Sequence, residues 1–368
     1  MIAPVCFTGD WLREHAEGMK ARDVKNLEKC VLALELVGRM HRAGLDFIFK
    51  GGTSLALVFD PVRRLSIDVD ILSLEPVKKL REVLESVTKE KAPFVGWEHQ
   101  DHRDREAPPT RHFRALYSSA LDPTQLHGIQ IDVIHAENPY ATVAQRSLQA
   151  TFITVEEDVR ISVPSPSSLL GDKISAFAPS TIGYPYQPIV ASTGEPGEPR
   201  PIKVVKHLFD VGELATLASD MGETIRTYRR IHSEQTKYRH IECSIDQALA
   251  DTQDAAFWVA RVDSRPREEN DKIEFFRKGI RAMDSHLFSQ PFHRAESRLA
   301  AGRAALIAEL IRTGQENFDL PAFVGADPDL DAMREAQLGD PWNNLNRLKQ
   351  TDLRAFACWH RAQEIGKR

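Results

Sequence analysis

Residues 47–74 read FIFKGGTSLALVFDPVRRLSIDVDILSL, and this stretch decides the fold. An apolar run at 47–49 is followed by a glycine pair and then by two hydroxyl residues. Glycines permit the backbone angles of a tight turn, and hydroxyl side chains favour the first position of a helix. The order therefore predicts a strand, a tight turn and the N-terminus of a helix. The residues of this bend are Gly51, Gly52, Thr53 and Ser54.

The second half of the stretch alternates apolar and acidic residues. Asp68 and Asp70 are interleaved with Ile67, Val69 and Ile71. Because successive side chains of a strand point to opposite faces, both carboxylates project from the same face. Two neighbouring carboxylates repel each other, and a hard cation such as magnesium relieves that repulsion.

The bend and the acidic strand together predict a site for nucleotidyl transfer. A glycine turn at a helix N-terminus presents backbone N–H groups and a positive dipole end, which suit the phosphates of a nucleotide. Each part alone has an ordinary explanation, since Gly-Gly turns are common and Asp-x-Asp occurs by chance in acidic surface strands. The ordered combination favours the site over those explanations.

Length and composition indicate an ordinary globular chain of two domains. The chain has 368 residues, of which 42% are hydrophobic and 27% charged. The sequence contains no membrane span, and residues 1–18 lack the pattern of a secretory signal. The four cysteines are far apart, which argues against zinc ribbons and disulfide scaffolds and favours a reducing cytoplasm. The net charge of -5 does not suggest a nucleic-acid partner, although it can conceal a local basic face.

The remaining pattern predicts an α+β fold. We expect amphipathic helices at 22–44 and 76–90, an exposed loop at 100–110, and further strands at 94–97, 112–117 and 129–135. After residue 201 the apolar spacing is helical almost throughout. The predicted helices are 204–218, 223–239, 245–261, 268–288, 295–312 and 345–362.

A third carboxylate lies in the last predicted strand. Asp132 alternates with Ile131 and Val133, so it projects from the polar face. If this strand neighbours the acidic strand, Asp132 completes an oxygen-ligand metal site with Asp68 and Asp70. An aspartate exposed to solvent on an edge strand is an equally good interpretation from this pattern alone.

The motif K-G-G-T-S followed by R-R-L-S-I-D-V-D resembles motif I of the AbiEii/AbiGii family of nucleotidyltransferase toxins, which are relatives of DNA polymerase β. The resemblance covers about residues 46–217. It implies a polymerase β-like domain with a small mixed sheet, followed by a mainly helical domain. The matching positions are Gly51, Gly52, Thr53, Ser54, Arg64, Ser66, Asp68 and Asp70.

The resemblance also implies a later lysine at the start of a helix and a basic residue followed by an aspartate. Lys173 in SLLGDKISAF and the pair Lys206 and Asp210 in VVKHLFDVGEL supply these residues. His207 departs from the family, which commonly has an aspartate there. We expect a catalytic domain at 1–165 and a helical domain at 166–368 that contributes Lys173 and Asp210 to the site.

The segment 178–201 is rich in proline and glycine, which predicts a loop. An exposed surface loop is favoured over a flap that covers bound nucleotide.

The helix predicted at 223–239 carries basic residues and two tyrosines, Tyr228 and Tyr238, and such a surface suits an RNA end. An ordinary solvated helix face explains the same pattern. The basic residues of this candidate RNA surface are Arg226, Arg229, Arg230, Lys237 and Arg239.

The roles implied for these residues form one hypothesis. Asp68 and Asp70, assisted by Asp132, hold Mg²⁺ or Mn²⁺ against a nucleoside triphosphate. The glycine bend cradles the β- and γ-phosphates, Ser66 donates to a phosphate oxygen, and Lys173 adds positive charge. Asp210 orients Lys173 or the acceptor.

The resemblance further implies a toxin of a bacterial toxin–antitoxin or phage-defence system, encoded beside an antitoxin. Some members of the family add nucleotides to the 3′ end of tRNA, and a protein side chain or a small molecule is the alternative acceptor. The sequence leaves the base of the nucleotide, the oligomeric state and the identity of the antitoxin open. Two other functions are compatible with the site. One is an antibiotic-modifying nucleotidyltransferase, which would need an acidic cleft, and the other is a non-catalytic nucleotide-binding module, which would be expected to lose a carboxylate.

Overall fold

The computed structural model of the chain describes residues 1–21, 23–89, 92–100, 110–190, 193–263, 270–288 and 290–367. The chain divides into two compact units. The first contains Met1–Asn138, Val143–Pro164 and Asp284–Pro291, and the second contains Pro139–Thr142, Ser165–Met283 and Phe292–Arg368. The predicted assignment of 1–165 and 166–368 to a catalytic and a helical domain stays a prediction.

The first unit contains a five-stranded mixed sheet with the strand order β1-β2-β5-β4-β3. β2 and β5 are parallel, and the other three neighbouring pairs are antiparallel. A separate hairpin is formed by β6 and β7. The strands are β1 (Ile48–Lys50), β2 (Val69–Leu72), β3 (Phe94–Gln100), β4 (Thr110–Ser118), β5 (Leu126–Ile134), β6 (Val143–Ser147) and β7 (Arg160–Pro164).

Three helices accompany this sheet, namely α1 (Gly9–Gly18), α2 (Val24–Arg42) and α3 (Val77–Lys89). The side chain of Asp23 caps α2 by accepting from two backbone N–H groups of its first turn. α2 contacts β5, and α3 contacts β3 and β4. One face of the sheet is therefore a hydrophobic core, which includes Val69, Ile71, Ile129, Ile131, Val133, Phe113 and Ala115.

A return segment from late in the chain joins the first unit beside the motif residues. Arg64 forms an antiparallel bridge with Leu287. The N–H of Leu65 donates to the carbonyl of His286, and the N–H of Phe288 donates to the carbonyl of Arg63. The Arg-Arg-Leu portion of the motif is thus held by backbone bonds to residues more than 200 positions away. Sequence periodicity carries no signal for this pairing.

The second unit is helical and contains ten α-helices in its described residues. They are α4 (Pro166–Ala176), α5 (Pro201–Leu214), α6 (Met221–Arg239), α7 (Ile245–Ala260), α8 (Asp271–Ala282), α9 (Arg294–Thr313), α10 (Leu320–Gly325), α11 (Leu330–Glu335), α12 (Leu348–Thr351) and α13 (Leu353–Gly366). The α+β fold with a helical C-terminal region is therefore confirmed. None of the helices in the described ranges is long and apolar enough to cross a membrane.

The proline- and glycine-rich insert is anchored at its N-terminal part. The N–H of Ser180 and the hydroxyl of Thr181 donate to the buried carboxylate of Asp251 on α7. Tyr186 packs edge-on against two phenylalanine rings of α8. Burial raises the pKa of the Asp251 carboxyl, although the two hydrogen bonds act in the opposite direction.

Several predicted elements differ from the observed ones. The helix expected after Gly52 is a five-residue 3-10 helix, Thr53–Leu57. The single helix expected at 345–362 is interrupted because Asp352 caps a new helix by accepting from the N–H of Ala355. Parts of four predicted elements lie outside the described residues, namely Arg22, Glu90, Glu268 and most of the predicted loop at 100–110.

Candidate active site

The glycine bend lies directly against the carboxylate of Asp70. Gly51 has a φ of +77°, and a Cβ built on it would lie 1.9 Å from Oδ2 of Asp70. A Cβ on Gly52 would lie 2.6 Å from a guanidinium nitrogen of Arg64 and 2.7 Å from Oγ of Ser66. Gly51 is therefore required by its positive φ and by the closeness of Asp70, whereas a side chain at position 52 would displace the Arg64 guanidinium and the Ser66 hydroxyl. The bend, Asp70 and Ser66 form one compact arrangement.

The hydroxyl groups of the bend donate to backbone carbonyls. Thr53 donates to the backbone carbonyl of Asp68, and Ser54 donates to the carbonyl of Gly51 at 3.0 Å. Both side chains are buried, and the capping position of the short helix is Gly52, which has no side-chain cap. The prediction that these hydroxyls cap the helix was wrong, because each donates to a backbone carbonyl and the helix has no side-chain cap. Their part in binding phosphate stays a prediction.

The two motif carboxylates stand at the start of β2. Asp68 immediately precedes the strand and Asp70 is its second residue, and both are half-buried. Val69 and Ile71 between and after them are completely buried. The alternation within the strand is the one that the sequence predicts, with Val69 and Ile71 in the core and Asp70 between them on the other face.

Asp132 occupies the same register as Asp70 on the neighbouring parallel strand. β2 pairs with β5 so that the Cα atoms of these two residues are partners. Side chains at one register position of a sheet project from the same face. The structure therefore brings Asp132 beside Asp70 rather than leaving it on a solvent-exposed edge.

Two polar residues near Asp132 were not singled out from the sequence. Nδ1 of His112 on β4 lies 2.8 Å from Oδ1 of Asp132, and Nε2 of Gln130 lies 3.1 Å from the same oxygen. His112 and Asp132 are register partners of the antiparallel pair β4 and β5. A lone histidine carries no motif. Its only signal is the alternation of β4, where Phe113, Ala115 and Tyr117 are buried and His112 falls on the opposite face.

Lys173 and Asp210 form a buried ion pair within the helical unit. Nζ of Lys173 on α4 lies 3.1 Å from Oδ2 of Asp210 on α5, and the side chains are 6% and 1% exposed. The resemblance implied a lysine at the start of a helix, whereas Lys173 lies in the last turn of α4. Lys206 and His207 precede Asp210 on α5 by about one helical turn. Both are half-buried, and each has interaction partners.

The candidate RNA surface is only partly available. Arg226, Arg229, Arg230 and Lys237 are exposed on α6. Arg239 donates to the carbonyl of Gly183 at 2.9 Å, so it anchors the insert. Tyr228 is fully buried, which excludes it from stacking on bases, whereas Tyr238 is half-buried.

The donor set around Asp70 fits a hard divalent cation. Within the described part of the chain, no group of three or more His, Cys, Asp or Glu side chains is already assembled to hold a metal ion. Magnesium at nucleotide-processing sites is usually held by one or two carboxylates together with substrate phosphates and water. Asp70 and Asp132 supply two carboxylates at one register position, beside a bend that approaches Asp70 within contact distance.

The bend, the strand carboxylates and the α+β architecture are the features expected of a nucleotidyltransferase. The family model described as "Nucleotidyl transferase AbiEii toxin, Type IV TA system" matches residues 39–300, which is more than half of the chain. The chain therefore belongs to the AbiEii family of nucleotidyltransferase toxins, and the resemblance found in the sequence is confirmed.

A solved structure supports the fold over nearly the whole chain. MenT4, a nucleotidyltransferase toxin from Mycobacterium tuberculosis H37Rv, is similar with a TM-score of 0.50 and 14% sequence identity. The similarity covers 95% of this chain and 98% of MenT4. The comparison with curated proteins found no match.

Gly51→Ala is expected to disrupt the site. An alanine at positive φ costs about 1–2 kcal/mol of stability, and its Cβ would also displace the Asp70 carboxylate. Gly44→Ala is a matched control, since Gly44 has a φ of +79° and a Cβ there would meet no described atom within 4 Å. Urea unfolding should give a lower free energy of unfolding for both variants than for the wild type. Titration with Mn²⁺ should show weaker binding only in Gly51→Ala. Equal Mn²⁺ affinity in the two variants would contradict the packing of Asp70 on the bend.

Proposed function

We propose that this toxin transfers a nucleoside monophosphate from a nucleoside triphosphate to the 3′ end of tRNA and releases pyrophosphate. The observation that carries the proposal is the meeting of the glycine bend with Asp70, at the register position shared with Asp132. In this proposal the bend binds phosphate and the neighbouring carboxylates bind the metal ion at the same place. The family supports a toxin that uses a nucleoside triphosphate and is paired with an antitoxin.

The residues of the bend bind the donor in this proposal. Backbone N–H groups at Gly51, Gly52, Thr53 and Ser54 hold the β- and γ-phosphates, and Ser66 donates to a phosphate oxygen. Lys173 adds a positive charge to the triphosphate, and Asp210 orients Lys173 through their ion pair. These assignments rest on the resemblance together with the contacts given above.

Asp68, Asp70 and Asp132 would hold Mg²⁺ or Mn²⁺. When bound, such a cation lowers the pKa of the acceptor hydroxyl and neutralises charge on the phosphates. The hydroxyl oxygen then bonds to the α-phosphorus in line with the departing group, while the bond from the α-phosphorus to the bridging oxygen breaks. Pyrophosphate leaves with that oxygen, the proton of the hydroxyl passes to water, and no covalent bond to the protein forms.

The exposed basic residues of α6 support an RNA acceptor. Arg226, Arg230 and Lys237 are spaced by four and seven residues, so they lie along one stripe of the helix. Guanidinium and ammonium groups in a row neutralise backbone phosphates.

An antibiotic-modifying enzyme would need an acidic cleft, and a cleft of about 540 Å³ in the helical unit does contain Asp254 and Glu309. Their carboxylates are paired with Lys272 and Arg312, so this cleft gives that alternative no support.

A labelled-nucleotide assay tests the proposal. Purified protein is incubated with each α-³²P-labelled nucleoside triphosphate, Mg²⁺ or Mn²⁺, and one of three acceptors: total tRNA, a protein extract or an aminoglycoside. We expect label on tRNA and none on tRNA whose terminal 2′,3′-diol has been oxidised with periodate. Label only on drug or protein would refute the tRNA acceptor. An absence of label on every acceptor, with nucleotide binding retained, would favour the non-catalytic module.

A further inference from the structure

One register row crosses all five strands of the sheet and consists entirely of polar residues. The paired positions are Lys50 on β1, Asp70 on β2, Asp132 on β5, His112 on β4 and Gln100 on β3. Neighbouring positions of such a row are about 5 Å apart and face the same side of the sheet. The row therefore places His112 next to Asp132 on the side away from Asp70.

The contact between His112 and Asp132 has the geometry of a direct hydrogen bond. Nδ1 and Oδ1 are 2.8 Å apart, and the side chains are 24% and 32% exposed. An ionised carboxylate has only acceptor atoms, so Nδ1 of His112 carries the proton and donates it. β4 lies between β3 and β5, and its neighbouring Phe113 is fully buried, so the backbone that carries His112 is held on both sides.

A second donor reaches the same carboxylate oxygen. Nε2 of Gln130, two residues before Asp132 on β5, donates to Oδ1 at 3.1 Å. Two donors on one oxygen, from two adjacent strands, restrict the rotation of the carboxylate about its Cβ–Cγ bond. A carboxylate that is fixed in this way loses less conformational freedom when it binds a cation.

We propose that His112 is a positioning residue that orients Asp132 for the divalent cation. This inference rests on the proposed function, because it takes Asp132 as a cation ligand. Outer partners of metal ligands commonly act by holding the ligand in its binding orientation, and their loss weakens metal affinity roughly 10- to 100-fold. A purely structural cross-strand pair would have a different consequence, since its removal would lower stability and leave cation affinity unchanged.

Mn²⁺ binding to the full-length protein, measured by electron paramagnetic resonance without nucleotide or acceptor, tests this inference. The variants are His112→Ala, which removes the donor, and His112→Asn, whose amide N–H can take the place of Nδ1–H. His127→Asn is the matched control, because His127 lies five residues from Asp132 on β5, about 17 Å along the strand. Urea unfolding of each variant shows whether it is folded.

We expect His112→Ala to weaken Mn²⁺ binding roughly 10- to 100-fold, as for other outer partners of metal ligands. His112→Asn should retain most of the affinity, and His127→Asn should bind as the wild type does. If the wild type binds Mn²⁺ and Asp132→Asn weakens binding but folded His112→Ala does not, the positioning role is refuted while the proposed function survives. If Asp132→Asn binds Mn²⁺ as tightly as the wild type, Asp132 is no ligand and the inference fails with that part of the proposed function.

Discussion

Asp70→Asn is expected to lower the rate of nucleotidyl transfer by about 1000-fold or more, which corresponds to roughly 4 kcal/mol of transition-state stabilisation. The substitution keeps the size of the side chain that packs on Gly51 and removes its negative charge. A neutral amide binds a divalent cation far more weakly than a carboxylate does, so the charge on the phosphates would no longer be neutralised during transfer. Single-turnover incorporation of label into tRNA measures the effect.

Asp46→Asn is the control for this substitution. Asp46 is exposed and lies two residues before β1 in the same unit, so the variant has the same change of net charge near the sheet. We expect its transfer rate to equal that of the wild type. Thermal unfolding should show that Asp70→Asn is folded, because the amide keeps the size of the side chain that packs on Gly51. A transfer rate in Asp70→Asn close to that of Asp46→Asn would exclude Asp70 from catalysis.

Local features of this site followed from the sequence. The alternation of Asp68 and Asp70 with Val69 and Ile71 is a period-two pattern. In a strand with one buried face, this pattern places the apolar side chains in the core and the polar ones on the opposite face. The glycine bend followed from the need for positive φ, which Gly51 adopts. The sequence also carried a cap signal at Asp352, since an acidic residue before an apolar run favours a helix start, but uniform apolar spacing concealed it.

Features that depend on long-range pairing did not follow from the sequence. The bridge between Arg64 and Leu287 joins residues that are far apart in the chain, and no local preference specifies it. His112 reaches Asp132 only because β4 and β5 pair in one particular register. The hydroxyl of Thr53 donates to the carbonyl of Asp68 only because of how the bend folds back on β2, and no local preference specifies that contact.

Asp210→Ala is expected to destabilise the protein by about 3–5 kcal/mol, because it leaves the buried ammonium group of Lys173 without its carboxylate. An unpaired buried charge costs far more than a lost surface ion pair. Glu82→Ala is the control, since Glu82 pairs with Lys78 at 4.0 Å in an exposed position and its loss should hardly change stability. Urea unfolding of both variants measures the difference, and equal midpoints would show that the Lys173 pair does not stabilise the helical unit.

The double variant Lys173→Met/Asp210→Leu separates stability from catalysis. Replacing a buried pair by apolar side chains of similar volume is often neutral or stabilising, so this variant should recover the midpoint lost in Asp210→Ala. If Lys173 also supplies charge to the triphosphate, the double variant folds normally and still fails to transfer nucleotide. Wild-type transfer by a stable double variant would assign the pair to the architecture of the helical unit alone.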